Sequence, residues 1–235
     1  LMGIIAEAAK RRRCRFDLNY SAGFEMELLP IALRDAALTF TLRGIARVRS
    51  DESNRAVDDL LTSLRLTRHL DSAPSLIIGL VQFNMAESSL QLLWEGLRAK
   101  AWGPGQLEAI QNELRSWNVS QSYLRHLNED RAGMLDLLEK LASDSAVVPP
   151  GTGVPLDARY IPRGWLYQNM VSYARLYDNF CFYPDGEEAE RVSYQKTKGL
   201  YDELIKRKTR YLGSFPHPYD FFSVIAVPMV GRATA

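Results

Sequence analysis

Residues 36–70 read AALTFTLRGIARVRSDESNRAVDDLLTSLRLTRHL. Two helical periods flank a polar break. Before the break, Leu33, Ala36, Ala37, Phe40, Gly44 and Val48 recur at the three-four spacing of an amphipathic helix. Pro30 fits the first turn of that helix. Ser50, Asp51, Glu52 and Ser53 interrupt it, and Ser53 or Asn54 can cap the next one. After the break the stripe is Val57, Leu60, Leu61 and Leu64, with Arg65 and Arg68 towards the opposite face. Gly44, Ala56 and Leu60 have the small-small-apolar spacing of a tetratricopeptide helical hairpin. Arg43 and Arg47 stand where that repeat carries apolar residues, Arg68 stands in place of its terminal proline, and no second copy recurs at a matching period. The expectation is an all-α, irregular helical-hairpin array, tetratricopeptide-like, of about seven to nine helices with no extensive sheet.

The rest of the chain extends this reading. A short helix is expected at 2–12. Asp71 or Ser72, with Pro74, should start a long helix over about 75–100. Its first half, PSLIIGLVQF, is apolar nearly all round and marks a buried central element. The run is too short, and too polar beyond Gln82, for a membrane span. Helices follow at about 105–116, 119–143, 164–180 and 187–211. Residues 146–164, AVVPPGTGVPLDARYIPRG, hold four prolines and three glycines without a period. They form a linker in which neither helix nor sheet should persist. The expected division is a helical unit over 1–144, a linker over 145–163 and a second helical unit over 164–235, packed on the first. The apolar segment at 221–230 is about half a membrane span and is interrupted by Pro228.

The 235 residues carry 29 Lys+Arg and 28 Asp+Glu, a net charge of +1. That balance lacks the basic excess of a nucleic-acid wrapper. The basic run Lys10, Arg11, Arg12, Arg13 and Arg15 suits a helix C-terminus, where cations complement the dipole; its alternative is a contact with nucleic acid or anionic lipid. Cys14 and Cys181, far apart in sequence, read as buried free thiols rather than a disulfide framework.

Signatures of chemistry are few. Zincin, paired CxxC, P-loop, dinucleotide-binding and GxSxG motifs are absent. His69, His126 and His217 have no second ligand at helical or turn spacing, so no metal or cofactor is expected. His69 is placed to serve the last carbonyls of its own helix. Glu129, in the cluster Asn128–Arg131, could be a general acid if buried; an ion pair or solvent exposure is the simpler reading. Trp165, Tyr167, Gln168, Tyr173 and Tyr177 form a candidate partner or ligand surface, and a core seam is the competing reading.

Four segments carry a resemblance: CRFDLNYSAGF (14–24), RAVDDLLTSLRLTRHL (55–70), PSLIIGLVQFNMAESSLQLL (74–93) and RGWLYQNMVSYARL (163–176). Together they resemble a family of bacterial, often membrane-anchored, all-helical proteins without established catalytic residues. The resemblance implies an envelope location, a preceding membrane anchor and a following pseudopilin-related piece in a longer chain. Within 14–24, the apolar Phe16, Leu18, Tyr20 and Phe24 read as a strap laid across helix ends, held by their burial. The functional expectation is a non-enzymatic scaffold or interaction module with a protein or peptide partner. The alternative is an enzyme acting on a sugar or cell-wall polymer through Glu129, with Glu87, Asp178 or Glu95 as the second carboxylate.

Overall fold

A computed structural model describes residues 1–11, 13–16, 29–73, 75–143, 146–147, 156–157 and 161–180. Side chains are described at all of these except 29, 30, 146, 147, 156, 157 and 176–180. The expected helix at 187–211, the 221–230 segment, Cys181, and Leu18, Tyr20 and Phe24 of the strap lie outside the described residues. The helices are α1 (Met2–Ala9), α2 (Leu29–Arg49), α3 (Ser53–His69), α4 (Leu76–Arg98), α5 (Pro104–Arg115), α6 (Val119–Ser143) and α7 (Arg163–Phe180). The fold class is all-α. Strand among the described residues is one two-residue antiparallel ladder, Ala146–Val147 against Leu156–Asp157. That ladder departs from the expectation of no sheet in the linker. Its four residues are not prolines, so each keeps the backbone N–H that a ladder needs.

Two compact units divide within α6, between Ser122 and Tyr123; the sequence reading had placed its division at 145–163. In the first unit α2 and α3 form an antiparallel hairpin. The expected stripe of α2 is its inner face, with Ala37, Phe40 and Val48 buried. α3 contributes Ala56, Val57, Leu60 and Leu64. One cluster joins Phe40, Leu66, Leu70, Ile78 and Met85 with Ala9 of α1, and half-buried Phe16 packs against it. A second joins Val48, Leu60, Leu64, Leu92, Trp102 and Ile110.

Gly44 lies closest to α4, where an added Cβ would overlap Leu92 Cδ2, and only in ordinary contact with Asp59 of α3. Ser63 lies where three helices cross. Its Oγ is 2.7 Å from Ser89 Oγ and 3.2 Å from Thr41 Oγ1, and it donates to the Ala37 carbonyl at 3.3 Å. Deeper along α4, Gln82 donates to the Thr67 carbonyl at 3.0 Å and to Asp71 at 2.7 Å. Ser122 bonds both Gln82 and Asp71. Ser63, Ser89, Gln82 and Ser122 are buried and partnered, as their burial requires.

Helix starts differ from expectation. Glu52 precedes α3 and no side chain caps it. Ser75, rather than Asp71 or Ser72, caps α4 by accepting from Ile78 N–H at 3.2 Å. Asp71 and Ser72 belong instead to a 3-10 turn, Leu70–Ser72.

The ends of α2 and α4 share one device. Glu52 N–H bonds Arg47 O at 2.9 Å and Asp51 N–H bonds Val48 O; Ala101 N–H bonds Gly96 O at 2.9 Å and Lys100 N–H bonds Leu97 O. These are Schellman motifs, and each places a non-glycine residue in the left-handed region: Asp51 at φ 61° and Lys100 at φ 52°. Lys gains nothing from this conformation. Lys100→Gly therefore raises stability by about 1 kcal/mol, read as an upward shift in urea midpoint with unchanged slope.

In the second unit, Leu138, Leu141 and Ala142 of α6 pack with Leu166 of α7. Tyr123, Leu124, His126 and Leu127 are buried.

Candidate interaction surface

The two arginines that break the repeat pattern have a definite task. Asp59 of α3 is buried, its side chain 3% exposed. Arg43 grips it with two N–H groups at 3.0 and 2.6 Å, and Arg47 adds a third at 2.7 Å. The Asp59 hydrogen bonds hold the Arg43 pKa above its ordinary value. Arg43 also stacks 4.9 Å from the Phe40 ring centre. Arg65 and Arg68 face α5, where both reach Glu113 at 2.8 Å. All four arginines are thus committed to ion pairs within the fold.

His69 does not serve its own helix end. Its Nε2 is 3.1 Å from the carbonyl of Ala9, so it tethers the end of α1. Burial, with Arg68 assisting, pushes its pKa below the ordinary value, against the Ala9 bond that raises it. Above about pH 6.5 folded and unfolded chains both carry a neutral ring. As pH falls the unfolded ring protonates first, so the unfolded chain binds more protons and stability drops. Thermal melts at about pH 7.5 and 5 should show this loss, and His69→Gln, which keeps an N–H donor, should shrink it. Burial likewise pushes the Cys14 thiol up, with Ser72 opposing, which disfavours the nucleophilic thiolate.

The five aromatic and amide candidates do not share a surface. Trp165, Tyr167 and Gln168 of α7 are exposed. Tyr173 is fully buried and donates to Asp130 at 3.3 Å. The Tyr177 side chain is outside the described residues. Leu166, Asn169 and Tyr173 form the inner face of α7 at helical spacing, and Tyr167 and Val171 the outer one. Glu129 is exposed on α6 and makes no ion pair among the described residues. No group of three metal-ligating side chains occurs among the described residues.

Among the described residues, α4 carries several exposed large apolar side chains. Leu80, Leu90, Trp94 and Leu97 are 41%, 47%, 62% and 45% exposed. Leu90, Trp94 and Leu97 follow at i, i+4 and i+7, and Leu80 lies on the same face three turns earlier. The inner face of α4 carries Ile78, Gln82, Met85, Ser89, Leu92 and Gly96. The sequence expectation of an apolar, buried element concerns the first half of this helix, where Ile77 and Leu80 are 37% and 41% exposed. α4 is instead two-faced. Contrary to the expectation of a run too short and too polar for a span, the 23-residue helix is by length and composition alone sufficient to cross a membrane, at mean hydropathy 1.3, with 44% of that window buried. Near its C-terminal end a shallow cleft of about 260 Å³ opens between α2 and α4, lined by Ile45, Val48, Arg49, Glu95, Arg98 and Ala99.

No known protein family, curated protein or solved structure matches this chain. The surface must therefore be read from its own chemistry. It presents exposed leucine and tryptophan side chains.

Proposed function

We propose that the chain is a non-enzymatic interaction module, built on a tetratricopeptide-like α2–α3 hairpin, that docks an amphipathic helix of a protein partner on the outer face of α4. The observation that carries this reading is the row Leu80, Leu90, Trp94 and Leu97. An exposed apolar row at helical spacing is the complement of a partner helix with anchors at i, i+4 and i+7. The four side chains offer on the order of 400 Å², about half of what each partner gives to a standard interface. That suits one docked helix better than a symmetric dimer. Trp94 is the expected hot spot, since truncating such an anchor costs at least about 2 kcal/mol.

The enzyme alternative has less support. A general acid needs burial or a close partner to keep its proton near neutral pH. Glu129 is exposed and Tyr173 of the proposed platform is internal. The envelope location rests on the family resemblance alone.

The test is selection of a helix-patterned peptide library against the whole chain. Selected peptides should be amphipathic, and Trp94→Glu should weaken them at least about 30-fold without changing the melting curve. Selected peptides that bind the Trp94→Glu chain equally well would place recognition elsewhere. Failure to enrich any helical peptide would remove the reading.

A further inference from the structure

We propose that α1 and the basic segment after it form a contact surface for an anionic lipid bilayer. α1 has two faces. Met2, Ile5, Ala6 and Ala9 pack into the core cluster with Phe40 and Leu70. Gly3, Ile4, Glu7 and Ala8 face outward, with Ile4 73% exposed. Glu7, the acid of this helix, is neutralised by Lys10 at 2.6 Å. The outer face is thus weakly apolar and carries no net negative charge.

Beyond it the chain reads Lys10, Arg11, Arg12, Arg13, Cys14, Arg15. Arg11, Arg13 and Arg15 are exposed and make no ion pair among the described residues. They differ in this from Arg43, Arg47, Arg65 and Arg68, which are all paired. The helix C-terminus explains one cation at most, because its field fades within the last turn. The His69 bond to Ala9 fixes where the basic segment leaves the fold. A clustered cationic segment beside an exposed aliphatic side chain fits the interface of an anionic leaflet.

Nucleic acid is the competing polyanion. It is favoured by a basic surface that extends beyond one short segment. Without residues 10–15 the chain holds 24 basic against 28 acidic residues. Ile4 also has no counterpart in a phosphate-backbone contact.

The test is co-sedimentation of the whole chain with phosphatidylcholine vesicles, with and without about 30% phosphatidylserine. Each cation near an anionic leaflet multiplies binding about fivefold, so Arg11→Glu, Arg13→Glu and Arg15→Glu together should lower partitioning at least about 100-fold. About 0.5 M salt should do nearly the same, and Ile4→Ser should lower binding severalfold. All four side chains are exposed, so far-UV melts should stay unchanged. Equal sedimentation with both vesicle types, no sedimentation with either, or a triple variant that binds like the parent would overturn the proposal. Tighter binding to a duplex DNA probe than to the anionic vesicles would assign the segment to nucleic acid and overturn it equally.

Discussion

Arg43→Met and Arg47→Met, placed in one chain, lower the unfolding free energy by about 3–5 kcal/mol. The asymmetry of the cluster sets this size. Asp59 is 3% exposed, whereas Arg43 and Arg47 are 36% and 25% exposed. Losing the carboxylate leaves two cations that can swing into water. Losing the cations strands an ionised carboxylate between α2 and α3, where desolvation is not repaid. Asp59→Asn alone should therefore cost less than the double arginine variant. Adding Asp59→Leu to that double variant should recover most of the loss, because an apolar replacement of a buried ion cluster is close to neutral. Urea unfolding of the four chains closes the comparison. A double variant within about 1 kcal/mol of the parent would show that Asp59 reaches water without its arginines.

That cluster also marks where sequence reading stops. The α2 stripe and the α3 stripe were legible because a period of 3.6 needs only one chain segment to be seen. Arg43 and Arg47 looked like departures from an apolar pattern. Their partner, Asp59, is 16 and 12 residues away, and nothing local reveals a buried acid that needs both. The same limit applies to α4. PSLIIGLVQF, the first half of the helix, is apolar nearly all round and says nothing of which side the second half exposes. Its inner seam is marked by Gln82, Ser89 and Gly96, small or amide residues at seven-residue spacing and all buried. Read as a close-crossing seam, they would have put Leu90, Trp94 and Leu97 outside. On α7, aromatic density left a core seam and a surface both open, with the seam the simpler reading, and only the helical register separates exposed Tyr167 from buried Tyr173. Helix caps were missed for a simpler reason. Several polar residues crowd each break, and which one caps depends on the angle at which the next helix packs.

Gly96→Ala tests the inner seam most severely, with an expected loss of about 3 kcal/mol. A Cβ at residue 96 would lie inside the contact radius of Trp102 Cε2, Cζ2 and Nε1. A flexible side chain could move aside, but this indole cannot. Trp102 is buried at 7% exposure, and its Nε1 donates to the Leu93 carbonyl at 3.0 Å. The chain between them is also closed by the Ala101 N–H bond to Gly96 O at 2.9 Å. Moving the ring would break the indole bond and open the cluster formed by Val48, Leu60, Leu92 and Ile110. In helix interiors the same substitution normally stabilises by up to about 1 kcal/mol, so the sign here depends on the ring alone. A double-mutant cycle isolates that dependence. Trp102→Leu should itself be destabilising, but in its background Gly96→Ala should be neutral or favourable, giving a coupling of at least about 2 kcal/mol. A Gly96→Ala chain that unfolds within about 1 kcal/mol of the parent would show that α4 and the Trp102 segment separate easily. The outer row of α4 would then rest on a pliable support rather than a fixed one, and its value as a docking face would fall with it.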